Sequence, residues 1–273
     1  MAANDGAFAS FVQKWLAANP EQVAVGVFLA PEARLRASGF GALVHELAET
    51  AFATREPQVA AAKLAWWRQD LAADEPRHPI AKTLMADAQA AAIDPALWSA
   101  LVDGALAELD APPPADLAAA FAVLNAFYGP VAALETALAG GDPAENAAIS
   151  HLWICSHLLG AAGAPGLERA PLPLDLLARH GLTRAELAGS GQRRTAVLGD
   201  LSRELAAEIE RNLARASRAS VGRRVRARLD LGRARRAAKG ADAAAVLAGS
   251  RSDPWRSVWL AWQEARRSRP RAP

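Results

Sequence analysis

Alanine and leucine run through almost the whole sequence, whereas runs of β-branched residues are missing. Alanine and leucine favour the α-helix, and β-branched residues favour the strand. Asp94, Asp142 and Asp253 each precede a proline, so their carboxylates can cap free N–H groups while the proline fits the first helical turn. Thr183 and Glu186 have the spacing of a capping box. The pattern predicts an all-α fold with helices near 5–18, 32–54, 57–74, 79–92, 95–109, 115–139, 143–160, 173–180, 184–216 and 254–267.

The length and the charge balance favour one soluble domain. The chain has 273 residues, and its 31 lysines and arginines nearly balance 29 acidic residues. We expect the proline-containing stretches 111–117 and 162–173 to be loops rather than interdomain linkers. The single cysteine, Cys155, excludes an intrachain disulfide, favours a reducing compartment and is interpreted as a small buried residue. The N-terminus does not resemble a secretory signal, and no uninterrupted apolar stretch reaches the roughly 20 residues that a membrane span needs.

Two adjacent tryptophans stand in the predicted helix at 57–74. Ala60, Leu64, Trp67 and Leu71 recur at helical spacing and form a predicted buried stripe. Trp66 lies one residue off that stripe, at the border of the buried face. Two interpretations remain open, because large indoles either pack between helices or line the wall of a ligand cavity.

The stretch "KLAWWRQDL", followed by "HPIAKTL", resembles the "L-x-W-W-R-x-E-L … H-P-V-A-x-A-L" pattern of the squalene/phytoene synthase family. Three further stretches match in the same order: "FLAPEARLRASGFGALVHELAET", "APLPLDLLARHGL" at 170–182 and "WRSVWLAWQEARR" at 255–267. The resemblance covers most of the chain. It implies a single-domain isoprenoid-synthase-like helical bundle around a central cavity over residues 1–273. "HELAET" resembles the version of the first motif found in the divergent branch that includes mitochondrial complex I assembly factor 6.

The resemblance also implies where a diphosphate site would lie. Active members of the family condense two prenyl diphosphates head to head, and magnesium ions join the diphosphates to two aspartate-rich clusters on facing helices. At the first cluster this chain has Glu46 and Glu49, with His45 and Thr50 beside them. At the second cluster, the helix containing "PAENAAISHLWICSHLLGAA" has no aspartate, and Glu145 is its only acid.

The resemblance therefore implies that the protein has lost head-to-head condensation. It would act in isoprenoid or lipid binding or in the assembly of a respiratory complex, with no cofactor. The alternative is an active prenyltransferase with a degenerate magnesium site, whose metal ligands are Glu46 and Glu49. In both cases His45, Trp66, Trp67 and Arg68 are the expected cavity and substrate-binding residues. The expected ligand is a prenyl diphosphate or a lipid, and the expected location is cytoplasmic or peripheral to the inner membrane, in contact with the membrane surface or a respiratory complex.

Three further pairs have a four-residue spacing that would let them share a metal ion. For the acidic pairs, a solvated or ion-paired helix face is the preferred interpretation. The remaining pair offers two ligands where a zinc site needs three or four. The pairs are Asp70 and Asp74, Glu204 and Glu208, and His151 and Cys155.

The segment 211–240 is densely arginine-rich and contains few acids. Three interpretations remain open: a solvated helix face, attraction to an anionic membrane surface or nucleic acid, and contact between its arginines and a diphosphate. The segment lacks the aromatic residues on which single-stranded bases stack. We therefore expect no nucleic-acid partner.

Overall fold

The structure is a computed structural model that describes residues 2–164, 171–240, 242–249 and 253–268, with side chains from Gly6 onward. Within these residues the protein is helical and has no strand. Its fourteen described α-helices are α1 (Ala2–Ala18), α2 (Glu21–Gly26), α3 (Pro31–Ala48), α4 (Pro57–Leu71), α5 (Pro79–Met85), α6 (Ala88–Ala91), α7 (Pro95–Ala107), α8 (Leu117–Ala139), α9 (Asn146–Gly163), α10 (Leu174–Arg179), α11 (Gln192–Arg215), α12 (Val221–Lys239), α13 (Ala243–Ala248) and α14 (Pro254–Ser268).

The predicted helix starts are confirmed. The Asp94 carboxylate accepts a hydrogen bond from the Ala96 N–H at 2.8 Å, and Asp142 and Asp253 cap their helical turns in the same way. The Thr183 N–H donates to Glu186 Oε2 at 2.7 Å, which completes the predicted capping box. Each cap satisfies a backbone donor that the first turn of a helix leaves free.

Several predicted helices are divided. Residues 32–54 form α3 and then a π-helical turn, Glu49–Ala53. Residues 79–92 form α5 and α6, because the Asp87 carboxylate caps a new helix by accepting from the Gln89 and Ala90 N–H groups. Residues 184–216 contain a 3-10 turn and then α11, which begins after Gly191 at a φ of 155°.

The central helix of the fold is α8, which packs between α7 and α9. By length and composition alone, this helix is long and apolar enough to cross a membrane, and it packs here as a core helix. Its approach to α7 is close: a Cβ added to Gly104 would lie 2.1 Å from the Ala126 carbonyl oxygen. A residue without a side chain is therefore required at this crossing.

The tryptophan stripe on α4 is also confirmed, since Ala60, Leu64, Trp67 and Leu71 are buried. The Trp67 ring lies 4.3 Å from the His78 ring, measured between centroids. The Trp67 indole therefore belongs to a helix interface, at which α4 meets the start of α5. Cys155 is buried as expected.

The solvated-face interpretation of Asp70 is wrong. Asp70 is buried, and its carboxylate accepts hydrogen bonds from the Arg77 N–H at 2.7 Å and the His78 N–H at 3.1 Å. It thereby fixes the turn that leads into α5, whereas Asp74 is exposed. The ion-paired interpretation of Glu204 is confirmed by its bond to Arg179, and that of Glu208 by its bond to Arg211.

A second, smaller apolar cluster joins α2, α12 and α14. It contains Val25 from α2, Val225 and Leu229 from α12, and Leu260 and Ala261 from α14. This cluster places the C-terminal helix against the arginine-rich helix α12. The sequence prediction missed α12, because the density of arginines hid the alanine, valine and leucine residues of its buried side.

Candidate ligand cavity

A cavity of about 1280 Å³ lies among α1, α2, α3, α8, α9 and α12, and its lining includes the last residues of α14. Its volume exceeds the roughly 300–1,000 Å³ of most small-molecule pockets. The lining combines a large apolar set with buried charged and polar groups. Its principal apolar residues are Trp15, Val25, Leu29, Phe40, Val44, Phe52 and Leu138.

An aromatic group forms part of the cavity wall. Phe52, on the π-helical turn, stacks on Tyr128 with ring centroids 6.2 Å apart and lies 4.3 Å from the His157 ring. The Tyr128 hydroxyl and His157 Nδ1 are hydrogen-bonded at 3.0 Å. Burial raises the pKa of Tyr128 far above its usual value, so the phenol keeps its proton at neutral pH.

Glu135 on α8 organises a second part of the wall. One carboxylate oxygen accepts from Trp153 Nε1 at 2.6 Å, and the other accepts from Ser220 Oγ at 2.6 Å. The Arg223 guanidinium lies 3.5 Å from the same carboxylate. This arrangement connects α8, α9 and the start of α12 around one buried negative charge.

Arg223 is the most distinctive lining residue. It is 6% exposed, its guanidinium carbon lies 3.3 Å from the centroid of the Trp153 ring, and its Nε and Nη1 atoms have no hydrogen-bond partner. Burial lowers its pKa, but an arginine remains charged at neutral pH. A buried guanidinium with free donors is suited to an anionic group, since its planar fork matches carboxylate and phosphate oxygens.

Arg226, one helical turn later, is also buried and lines the cavity. It donates to Asp230 at 2.8 Å and to Glu21 at 3.1 Å. Burial alone would lower the pKa of Arg226, but these two carboxylates raise it. Ser156 Oγ donates to Asp230 at 2.6 Å and extends the network to α9.

The solvated-face interpretation of segment 211–240 is therefore wrong for much of α12. Four of its arginines, together with Asp230, are buried, and two of those arginines line the cavity. The arginines are compensated by acids from distant parts of the chain, including α2, α8 and α14. The buried arginines are Arg223, Arg224, Arg226 and Arg233.

The model of the family described as squalene/phytoene synthase matches residues 21–253. The chain belongs to the squalene/phytoene synthase family. Its fold is similar to that of a dehydrosqualene synthase crystallised with a ligand, at a TM-score of 0.70, with 12% identity and 96% of each chain covered. It is also similar to the squalene synthase HpnC from Alicyclobacillus acidocaldarius, at a TM-score of 0.62 and 12% identity, with 91% of this chain and 94% of that chain covered. Among curated proteins, none matches significantly.

In this family member, the two glutamates expected at the first acidic cluster have different surroundings. Glu46 is buried outside the cavity lining and is paired with Lys14 at 2.7 Å and Lys63 at 3.5 Å. Glu49, on the π-helical turn, lines the cavity together with His45. Burial lowers the pKa of His45, so this imidazole is neutral at pH 7.

The other residues expected in the cavity lie elsewhere. Trp67 is buried in the α4 interface, and Trp66 is 41% exposed. Arg68 is paired with Asp103 on α7. None of the three belongs to the lining of the cavity that the structure describes.

The carboxylates around the cavity do not fit a two-cluster magnesium site. Among the described lining residues the acids are Glu49 and Glu135, and Glu135 is already bonded to Trp153, Ser220 and Arg223. The face of α9 that lines the cavity carries Ser156 and His157 and no carboxylate. The described residues contain no group of three or more metal-ligating side chains. Magnesium prefers several oxygen ligands in octahedral order, and Glu49 supplies one carboxylate.

The sequence analysis missed the residues that dominate the cavity, namely Arg223, Glu135, Tyr128 and Trp153. Glu135 is the sequence feature from which these residues could have been predicted, because a single acid in the apolar stretch 117–139 indicates a buried partner of opposite charge. The arginine-rich segment is the obvious source of such a partner, in agreement with the interpretation in which its arginines meet a ligand.

Proposed function

We propose that this squalene/phytoene synthase family member binds an isoprenoid lipid with an anionic head group, such as a prenyl diphosphate, and does not perform head-to-head condensation. The observation that carries the proposal is the charge of the cavity wall. Arg223 and Arg226 are buried and line it, whereas the acids among the described lining residues are Glu49 and Glu135, and Glu135 is already engaged in a network of hydrogen bonds.

The anionic head group is assigned to Arg223. This guanidinium stacks on Trp153 and has no hydrogen-bond partner at Nη1, whereas its Nε lies 3.5 Å from the Glu135 carboxylate. A hydrogen bond to a charged group contributes about 1.5–3 kcal/mol, and the contribution grows where water is excluded. Neutralisation by a fixed guanidinium requires no metal ion.

The apolar lining is assigned to the isoprenoid chain. Phe40, Val44 and Phe52 offer the aliphatic and aromatic surface that a branched hydrocarbon chain needs. Each buried CH₂ group contributes about 0.8 kcal/mol, so chain length has a strong effect on affinity. Farnesol, which shares the chain and lacks the diphosphate, separates the two contributions.

The proposed loss of condensation is supported by the shortage of metal ligands. Ionising a prenyl diphosphate develops charge on the leaving group, and that charge must be neutralised in the transition state. Glu46, which the alternative proposal needs as a magnesium ligand, is neutralised by Lys14 and Lys63 instead. An active prenyltransferase with a degenerate metal site is therefore the less favoured function.

A likeness to one branch of the family supports a role in complex assembly for a lipid-binding protein that does not catalyse condensation. The likeness of "HELAET" to the branch that includes complex I assembly factor 6 supports a part in the assembly of a respiratory complex. In that role the bound lipid would be a structural ligand. A protein that acts only as a scaffold would leave the cavity without a ligand, so the binding experiment separates the two.

The experiment titrates farnesyl diphosphate into the purified protein without magnesium and follows tryptophan fluorescence. The Arg223→Gln variant should bind at least about tenfold more weakly, because the charged hydrogen bonds are lost. Arg235→Gln is the matched control on the same helix: Arg235 is exposed, is paired with Glu210, and should leave binding unchanged. Arg223→Lys keeps the charge without the planar fork and should fall between the two.

Equal affinity of the wild-type protein and Arg223→Gln would contradict the assignment of the head group. Equal affinity of the wild-type protein for farnesol and farnesyl diphosphate would also contradict the assignment of the head group, and this comparison needs no variant. Circular dichroism of Arg223→Gln establishes that the helical fold is retained before affinities are compared. Conversion of the ligand to a condensed product would refute the proposed loss of activity.

A further inference from the structure

Helix α14 exposes an unusual stripe of large apolar side chains. Trp255 is 85% exposed, Trp259 is 54% exposed, and Val258 and Trp262 are likewise exposed. At about 100° per residue, these four positions fall within an arc of roughly 100° on one side of the helix. Isolated exposed apolar residues are ordinary on a soluble protein, but a continuous tryptophan face is not.

The orientation of this tryptophan face is fixed by the opposite side of α14. Leu260 and Ala261 pack into the cluster with α2 and α12, and Glu264 is fully buried. The Glu264 carboxylate accepts from Arg224 Nε at 2.8 Å and is also bonded to Arg228 and Arg267. The tryptophans therefore cannot turn inward without breaking a buried ion network.

The charge beside the tryptophan face is positive. Arg256 and Arg266 lie on α14, Arg267 is already paired with Glu264, and the only acid among residues 254–268 is the buried Glu264. The Arg266 guanidinium carbon lies 4.8 Å from the centroid of the Trp262 ring. This amphipathic arrangement, with aromatic residues on one face and basic residues beside them, is typical of helices that lie in the interface of a bilayer.

The neighbourhood of α14 extends the apolar surface and connects it to the cavity. Helix α2, which packs against α14, exposes Val23, and Val27 directly after this helix is also exposed. Arg267 and Ser268, at the end of α14, line the ligand cavity. The tryptophan face thus belongs to a helix that also forms part of the cavity wall.

We propose that the tryptophan face of α14 docks the protein on an anionic lipid bilayer, with its indoles in the head-group region and its arginines against lipid phosphates. Charge complementarity selects this occupant, since aromatic residues flanked by cations match an anionic interface. The arginine-rich segment does not supply this surface, because much of α12 is buried. The inference does not depend on which ligand the cavity binds.

The test measures co-sedimentation of the full chain with phosphatidylcholine vesicles and with vesicles containing about 30% phosphatidylglycerol. We expect the wild-type protein to bind the anionic vesicles at least about tenfold more strongly, with binding that weakens as salt is raised. The triple variant Trp255→Ser, Trp259→Ser, Trp262→Ser should lose at least about tenfold in vesicle affinity. The control is Trp66→Ser on α4, which removes an exposed indole outside the tryptophan face and should bind normally.

Three results would overturn the proposal: no binding of the wild-type protein to either vesicle, equal binding to both vesicles, or unchanged binding of the triple variant. Size-exclusion chromatography adds a fourth, since a dimer that the triple variant converts to a monomer would make the face a self-association surface. The variants change solvent-exposed residues, and retention of farnesyl diphosphate binding by the triple variant would establish that its cavity is intact. Vesicle binding is measured without that ligand, so failure here is distinguishable from failure of the proposed function.

Discussion

Replacing Glu264 by glutamine should strongly destabilise the protein. Glu264 is fully buried and compensates three arginines, of which Arg224 is itself largely buried while Arg228 and Arg267 are partly exposed. Removing one member of a buried ion pair costs about 3–5 kcal/mol, because the remaining charge is left without compensation. Arg224 keeps a hydrogen bond to the Ala216 carbonyl at 2.5 Å, and glutamine retains one amide oxygen. We therefore expect a loss near the lower limit, about 3 kcal/mol.

The assay is urea unfolding followed by far-ultraviolet circular dichroism at neutral pH. The matched control is Glu210→Gln, which removes an exposed carboxylate that is also paired with an arginine of α12. An exposed pair contributes at most about 1 kcal/mol, so the midpoint of the control should hardly move. Equal losses in the two variants, or a loss below about 1 kcal/mol for Glu264→Gln, would refute the inference that burial determines the effect.

The same carboxylate predicts a pH dependence. Burial alone would raise the pKa of Glu264, but the Arg224 hydrogen bond and the charges of Arg224, Arg228 and Arg267 lower it below its usual value of 4.5. Its contribution to stability is therefore complete above pH 4.5 and is lost as the pH falls through the lower folded-state pKa. The difference between the wild-type protein and Glu264→Gln should shrink in acid. A constant difference would contradict this reasoning.

Three further predictions concern the scaffold. Gly104→Ala should lower the thermal midpoint and cost at least about 2 kcal/mol, because the new methyl group would collide with the Ala126 carbonyl oxygen, and an unchanged midpoint would contradict the close crossing. Asp70→Ala should cost about 1–3 kcal/mol in urea unfolding, because two backbone N–H groups lose their acceptor, and a neutral effect would remove its role in the turn. Burial raises the pKa of Glu108 to about 7, so stability should fall as the pH rises from 4.5 to 7, because the carboxyl of the unfolded chain loses its proton in this range while that of the folded protein keeps it. Glu108→Gln should abolish that fall in stability, which is on the order of 2 kcal/mol after allowance for solvent screening. An unchanged pH profile of stability in the variant would contradict the assignment of the fall to Glu108.

Local features of the fold could be predicted from the sequence because their causes are local. The Asp94 cap needs only an N–H group two residues away, and the stripe of Leu64, Trp67 and Leu71 follows from helical periodicity. The boundary between α5 and α6 at Asp87 could also have been predicted, since an aspartate before an alanine run is a helix-capping signal. These features place the helices and their buried faces.

The cavity could not be predicted in the same way, because its charged residues find partners far along the chain. Arg226 pairs with Glu21, which is 205 positions away, and Arg223 lies beside Glu135. A run of arginines ordinarily indicates a solvated face, and only the folded arrangement brings acids from α2, α8 and α14 against α12. The motif residues Trp66 and Trp67 suggested a cavity wall, but their helix packs on another part of the core.

The most direct test of the central claim is calorimetric titration of farnesyl diphosphate with and without magnesium, followed by extraction and product analysis of the same samples. The account predicts saturable binding that does not require magnesium, with the ligand recovered unchanged. Release of diphosphate with a condensed hydrocarbon product in the magnesium sample would contradict the account and would show that the protein is an active prenyltransferase. Absence of binding in both samples would contradict the assignment of the cavity to an isoprenoid diphosphate.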